Sequence, residues 1–562
     1  MNNNGFESKN HSWFIFILLI LSYFFLMFGN GMISLTHPDE VFYIQSAKEM
    51  VQHGRWFTPM IFDHVQFEKP FLSFALFAAT IKWFGLSPFV ARFWPAFFGI
   101  VGVLTVYWIA WLLFERKRLA FLSGLILTTS FIYIALSRAV LTDMIFSTFV
   151  AISIGFFCLA YFRPQCKSLG LILCGSFSAI AVLTKGLLGF SFPAATIIIF
   201  LVLKRDWEFL KTPATLWAAG LFLLIAVPWH AVMFAQHGSW FWDEYFKNVH
   251  FRRFTEAEHQ RLNHGYFYPG LMFAGVMPWS LFWVPVIVSI IHHIKNKTSS
   301  QTPIFFLLSW IMAVFIFIQP AASKLASYVF PLFPAVAILF AKTFHDLVDN
   351  SQGKKNLQQI VQWCAYAMSL VLIVVAIIGI VVAGMHRDFI ISMAPVYAGA
   401  GFLVMIAALI FIFTRRRDYI RVIGSYVGIS VVLLIMLRLA GSYLEPWVSC
   451  KKICDVLKRM DQSNTTVLSS KFYVRGVRYY TDRPMAVIDI NGQGFWSPHP
   501  IPFLNTDQEV RDFLNQQPVT YAIVKEGNVE DLKRIIEGQR YRLQQIEVIG
   551  GKYLVKVEKT SP

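Results

Sequence analysis

Charge is scarce in this sequence. Only 14% of the 562 residues are Asp, Glu, Lys or Arg, while 56% are hydrophobic and 17% aromatic. The mean hydropathy is +0.55. A water-soluble chain of this length has no interior large enough for so much apolar surface, whereas a bilayer has. Acids are scarcer than bases, 32 against 49, which leaves a formal net charge of +17. No basic stripe or nucleic-acid module accompanies that excess, so nucleic acid is excluded as a partner. Cysteine is sparse too, and the six present form no disulfide framework. Cys158, Cys166, Cys174 and Cys364 lie in or beside apolar runs. Cys450 and Cys454, in CKKIC, are the one close pair. A disulfide between them stays open, but i,i+4 spacing on a helix is more often two free thiols. No internal repeat is evident. The run from Trp13 to Phe28 lacks an A-x-A-like cleavage site and leads directly into THPDE, so a retained first span is expected rather than a signal peptide.

What the sequence does have is long apolar runs, and roughly 20 such residues span hydrocarbon. About thirteen spans are expected, near 13–30, 88–113, 119–136, 144–162, 169–184, 187–203, 214–231, 266–290, 303–319, 327–341, 359–384, 393–414 and 421–442. The apolar, aromatic segment 71–85 is expected to lie along the membrane surface. The loops ERKR (115–118), RPQCK (163–167), KRDWEFLK (204–211), HHIKNK (292–297), SQGKK (351–355) and TRRRD (414–418) hold most of the short-loop basic charge, which makes them cytoplasmic. The N-terminus then faces the cytoplasm, and an odd number of spans puts the C-terminal region outside.

Composition changes near residue 446. The runs TTVLSS (465–470), MAVIDI (485–490), TYAIVK (520–525) and YLVKVE (553–558) read as strands. DQEVRDFLNQQ (507–517) and NVEDLKRIIEGQ (528–539) read as amphipathic helices. The expected organisation is a membrane domain, 1–445, with loops 30–87 and 232–265 on the catalytic side, followed by a periplasmic α/β domain, 446–562.

Ionisable residues are expensive to bury near a membrane and are functional candidates for that reason. Here they collect on the non-cytoplasmic face: Asp39 and Glu40 in THPDE, Glu68 and Lys69 in FEKP, Arg92 in ARFWP, Arg138 and Asp143 in SRAVLTD, and Lys185 in LTKG. His250, Arg252 and Arg253 in HFRRF follow, then Arg261 and His264 in QRLNHGYFYP, and Lys324 and Tyr328 in SKLASYVFP. Each has a plainer reading. Asp39, Glu40 and Asp143 sit where helix caps sit, and Lys69 suits a snorkelling lysine. Arg116, Arg252 and Arg415 taken singly read as solvated. Together, acids facing Lys, Arg and His suit an anionic phosphate. The carboxylates would then position a nucleophile, act as general base, or hold a divalent cation. Glu68 with His250 or His264 contains zinc-binding residue types, but their sequence spacing gives a metal site no support.

THPDE, FEKP, ARFWPAFFG, SRAVLTDM, AVLTKGLLG, HFRRF and SKLASYVFPLFP occur in this order. In that order they resemble the membrane glycosyltransferase family of the bacterial lipid A 4-amino-4-deoxy-L-arabinose transferase. That family is related to the protein O-mannosyltransferases and has the GT-C membrane fold. The motifs cover roughly residues 13 to 345, and the expected architecture extends the likeness over nearly the full length. The resemblance implies a polytopic α-helical membrane enzyme of the inner membrane that moves a sugar from undecaprenyl (polyprenyl) phosphate to an acceptor on the periplasmic side. It implies catalytic roles for Asp39 and Asp143, with Glu40 beside them. It implies carrier-phosphate contacts for Lys69 and Arg253, and a place near the cavity for Tyr328, with Lys324, Arg138 and Lys185 as further basic candidates. Glu68 with His250 or His264 resembles a structural metal site, for zinc or magnesium, although the second histidine is spaced differently here.

An inverting transfer follows from this resemblance. Lys69 and an arginine stabilise the leaving phosphate. Asp39 acts as base if the acceptor is a hydroxyl, and only positions the acceptor if it is an already anionic lipid A phosphate. The sequence leaves the acceptor open among lipid A, a protein, an O-antigen or another glycan or glycolipid. A transporter or flippase is disfavoured by the absence of repeats and by ionisable residues gathered at one rim. A membrane-anchored binding protein is disfavoured by the lack of a catalytic cluster in the C-terminal domain, where YYTDRP reads as a turn between strands.

Overall fold

The computed structural model describes residues 4–257, 264–349, 355–385, 393–497 and 499–560. Arg261 and residues 351–354 of the SQGKK loop lie outside the described residues. Among the described residues, nine helices are long and apolar enough to cross a membrane, and eleven if each of two bent pairs is one span. This is a polytopic membrane protein. The expected spans near 13–30 and 187–203 correspond to the shorter apolar helices His11–Met27 and Leu188–Lys204, so length and composition alone do not reproduce a count of thirteen. The segment expected on the membrane surface is the short helix Leu72–Phe84.

The chain divides into two compact units. One comprises Met1–Phe28 and Arg92–Leu439, the other Gly29–Ala91 and Ala440–Pro562. The sequence assigned the first outer loop to the membrane domain; by packing it belongs with the C-terminal segment.

In the first unit the apolar helices pack through aromatic side chains, and Trp279, Trp310, Tyr245 and Tyr268 are fully buried. Two spans are broken. Lys117–Thr129 and Phe131–Ser137 meet at 65°, and Phe267–Gly275 and Trp279–Lys295 at 108°. Broken backbone at membrane depth must find partners inside the protein. Here the two breaks satisfy one another. The Phe131 N–H donates to the Met277 carbonyl at 2.9 Å. The Trp279 indole donates to the Thr129 hydroxyl at 3.1 Å. Ser430 donates to the Thr129 carbonyl at 2.8 Å. At the ends of helices Trp283–Lys295 and Phe333–Asp349, a buried trio joins the two. Asp346 accepts from His293 at 2.7 Å and from Lys342 at 2.6 and 2.7 Å.

In the second unit a two-residue turn at Phe62 and Asp63, both with positive φ, joins strands β1 (Met60–Ile61) and β2 (His64–Val65). The C-terminal segment forms a six-stranded sheet from β3 (Val467–Ser470), β4 (Met485–Ile488), β5 (Phe503–Leu504), β6 (Val519–Val524), β7 (Tyr541–Ile549) and β8 (Lys552–Lys559). Its order is β5-β4-β3-β6-β8-β7. The β3, β4, β5 and β6 pairings are parallel, while β8 is antiparallel to β6 and β7. The four runs read as strands are all strands. Of those missed, β7 lacks apolar alternation because most of its residues are exposed or half-buried, and β5 has only two residues. Helix Asp507–Asn515 starts with a capping box, in which Thr506 and Glu509 bond each other's backbone N–H.

Candidate functional site

In the first unit the structure gathers four motifs that are far apart in sequence. Asp143 lies in the first turn of helix Thr142–Phe162, and Lys185 is the last residue of helix Lys167–Lys185. An acid at a helix N-terminus and a base at a C-terminus each complement the local dipole. Here they also form an ion pair with side chains only 6% and 7% exposed. The Lys185 ammonium lies 5.0 Å from the centre of the Tyr328 ring and 5.5 Å from that of Phe146. A cation against aromatic faces is favourable when water is excluded.

The next residue explains why the LTKG motif ends in glycine. Gly186 has φ of +104°, and a Cβ there would stand 2.5 Å from His250 Nε2. His250 Nδ1 donates to the Tyr245 carbonyl at 2.6 Å, and Nε2 accepts from the Leu187 N–H at 3.4 Å. The HFRRF and SKLASY segments then pair through backbone. Ala322 and Ser323 donate to the carbonyls of Phe254 and Arg253 at 2.9 and 3.1 Å.

Three basic candidates have protein partners. Lys324 is buried, donates to the carbonyls of Gln319 and Ala321 at 2.8 and 2.9 Å, and sits 5.3 Å from the Tyr268 ring centre. Burial holds its ammonium below the usual lysine range. Arg138 donates to the carbonyls of Phe25 and Phe28, at 3.0 and 3.1 Å, where the first helix ends. Lys185 pairs with Asp143. All three are thus tied to protein groups, and as candidate phosphate contacts they are neither supported nor opposed by these bonds. Arg253 is half-buried, and Arg92 is buried.

In the second unit Asp39 and Glu40 occupy the first turn of helix Asp39–Gln52. They are not equivalent. Glu40 is buried and accepts from both the N–H and the hydroxyl of Thr36 at 2.9 Å. It closes the THPDE turn ahead of the helix. Asp39 is exposed. His37 is fixed beside them. Its N–H donates to the Val448 carbonyl at 3.0 Å, and its ring stands edge-on to Phe472 and Tyr473. Burial, with Lys552 and Lys525 nearby, pulls this imidazole down to about 4. Lys552 is fully buried and donates to the carbonyls of Pro446 and Trp447 at 2.7 and 3.1 Å. Cys450 and Cys454 are buried free thiols.

In FEKP, Lys69 is buried, and Glu68 pairs with Arg475 at 3.7 Å. The metal expectation meets its test here. Both His250 nitrogens bond protein backbone, Glu68 faces a guanidinium, and His264 is exposed and stacked on Tyr266. Among the described residues no group of three His, Cys, Asp or Glu is placed to hold a metal. These residues do not fit a cation, and no step is routed through one. A cavity of about 480 Å³ opens between Phe62, Arg478, Pro502 and Phe513. None of the candidates from the sequence lines it, so it is not assigned as the site.

The sequence reading missed Arg475, Arg478, His499 and Lys552. Arg475 and Arg478 lie on helix Val474–Thr481, whose end had been read as a turn. Their i,i+3 spacing in VRGVR was the available signal.

Known proteins agree with this architecture. A family model described as dolichyl-phosphate-mannose-protein mannosyltransferase matches residues 11–255. The undecaprenyl phosphate-alpha-4-amino-4-deoxy-L-arabinose arabinosyl transferase of Enterobacter sp. (strain 638) is 30% identical over 319 residues, covering 56% of each chain. That of Erwinia tasmaniensis is 29% identical over 329 residues, covering 58% of each. The chain thus spans a little over half the length of the curated relatives it matches. The crystal structure of ArnT from Cupriavidus metallidurans bound to undecaprenyl phosphate superposes with a TM-score of 0.75 at 19% identity, over 99% of this chain and 98% of that one. That likeness shows a shared fold, the GT-C membrane fold with a C-terminal sheet. Family model, curated relatives and fold together show a chain similar over part of its length to the undecaprenyl phosphate-alpha-4-amino-4-deoxy-L-arabinose arabinosyl transferases and to the protein mannosyltransferases.

Proposed function

We propose that this chain is a glycosyltransferase of the bacterial inner membrane. It moves a sugar, 4-amino-4-deoxy-L-arabinose in the best-supported case, from undecaprenyl phosphate to lipid A. The distribution of loop Lys and Arg supports a cytoplasmic N-terminus and a periplasmic α/β unit. The observation that carries the proposal is the buried Asp143–Lys185 pair against Tyr328, built from three motifs in a chain otherwise poor in charge. Keeping such a pair buried is expensive without a role.

In this reaction an acceptor oxygen attacks the anomeric carbon while the bond from that carbon to the carrier-phosphate oxygen breaks. The bonding electron pair leaves with the phosphate, and configuration inverts. Lys69 is assigned to the charge that develops there, since preorganised cations lower the barrier most where charge appears. Asp39 positions the acceptor, and removes its proton when the acceptor is a hydroxyl. Asp143 holds Lys185 in place against Tyr328.

Lipid A and surface glycans from cells with and without the protein should differ by the mass of one sugar residue. Asp39→Asn, inserted at wild-type level, should lose transfer by at least about a hundredfold. Wild-type turnover by that variant would remove Asp39 from the chemistry, and an unchanged glycan profile would remove the function.

A further inference from the structure

FEKP is a loop with no regular structure of its own between β2 and helix Leu72–Phe84, yet Lys69 within it is buried. Something must hold it. One short helix of the C-terminal segment, Val474–Thr481, contacts every part of the first outer segment that carries a candidate. Arg475 pairs with Glu68 at 3.7 Å and lies 4.5 Å from the centre of the Phe42 ring, on the same helix as Asp39. Three residues on, Arg478 pairs with Asp63 at 2.6 Å, in the turn of the β1–β2 hairpin, and approaches Glu49 at 3.9 Å. The Tyr480 hydroxyl donates to the Leu35 carbonyl at 2.9 Å, just before THPDE. Lys48 pairs with Asp482 at 2.5 Å.

We propose that Arg475 is a positioning residue for the transfer reaction: it fixes the FEKP loop against the Asp39 helix and so sets where Lys69 stands. This inference rests on the function proposed above for Lys69 and Asp39. Arg475 touches neither donor nor acceptor in this scheme. Its planar guanidinium suits the task. One nitrogen, Nη2, donates to His499 Nε2 at 3.0 Å and faces Glu68, while the group lies near the rings of Phe42 and Phe495. Lysine has the charge but no plane to stack, so it reproduces only part of this arrangement. The Glu68 carboxylate thereby acquires a role that needs no metal. It is the loop's attachment point.

The test uses the full-length protein in detergent or nanodiscs, with an undecaprenyl-phosphate-linked sugar as donor. Arg475→Ala should lower kcat roughly ten- to a hundredfold, because a displacement of about 1 Å at a reacting group costs that much, while KM for the acceptor stays within about twofold. Arg475→Lys should recover part of the loss. Glu68→Gln should lose a similar factor, and the double variant should lose no more than the worse single one, because both changes release the same loop. Wild-type kcat in Arg475→Ala, or losses that multiply in the double variant, would overturn the proposal. Hydrogen exchange over residues 62–71 gives a reading independent of activity. It should rise in Arg475→Ala and stay level elsewhere in the chain; an unchanged rate there also overturns the proposal. If Arg475→Ala is not recovered folded, Arg475→Lys is judged by the same two measurements. If the wild-type protein transfers no sugar, the proposed function fails, and hydrogen exchange still decides whether Arg475 holds the loop.

Discussion

At the scale of single residues, the second unit carries two imidazoles that resist protonation. His37 is held near 4 by burial and by Lys552 and Lys525, and His499 near 4 by burial and by Arg475, with Glu68 opposing. An unfolded histidine titrates near 6.5. As pH falls from 6.5, the unfolded state therefore takes up protons that the folded state refuses. Stability present above pH 6.5 is lost on acidification towards pH 4, by about 3 kcal/mol for each histidine. The melting temperature of this unit should drop between pH 7 and 5, and His499→Gln should reduce the drop. An identical slope in that variant would show that His499 is not the titrating group. Asp39 and Glu40 were visible in the sequence as a pair, and the expectation that one of them serves as the cap was already open there. The structure separates the pair by burial and by the bonds of Glu40 to Thr36, and neither side chain caps the helix. Lys324 and Arg138 show the limit of such reading. Sequence reveals a cation near a rim but not the backbone carbonyls it bonds.

At the scale of elements, the trio His293, Lys342 and Asp346 joins helices Trp283–Lys295 and Phe333–Asp349. All three are buried. Asp346→Asn removes the carboxylate that the other two share and should cost about 3–5 kcal/mol, as for other broken buried pairs. Replacing Lys342 and Asp346 together by leucine should cost less, since no buried charge remains. Thermal unfolding in detergent compares the two. A double variant less stable than the single one would mean that the pair supplies net attraction beyond its desolvation cost. Elements were legible where one period dominated. Apolar runs gave the helices, and the short β-branched runs gave four strands. The two broken spans read as continuous, because hydropathy records composition and not direction. Helix Val474–Thr481 was missed because it is short, polar and rich in Tyr and Arg, and it is held by ion pairs that sequence separation hides.

At the scale of the whole molecule, the fold class followed from composition, since no soluble interior could take this much apolar surface. The grouping of residues into units did not. Sequence order suggests a membrane domain followed by a soluble one, whereas packing joins Gly29–Ala91 to Ala440–Pro562. Nothing in local composition announces that pairing, because Arg478 and Asp63, or Tyr480 and Leu35, are more than four hundred positions apart.

That discontinuity has a consequence for biosynthesis. Gly29–Ala91 leaves the ribosome early, and its packing partner begins to be made only after roughly 350 further residues. At the usual 5–20 residues per second the wait is about 20–70 s. Throughout it, Glu49 and the faces that meet helix Val474–Thr481 have nothing to pack against. A pulse-labelled nascent chain should therefore be cut readily by protease between residues 53 and 71 until the C-terminal sheet is complete, and resist afterwards. For this early-made loop, the interval between its synthesis and its folding is set by the translation of the membrane helices in between.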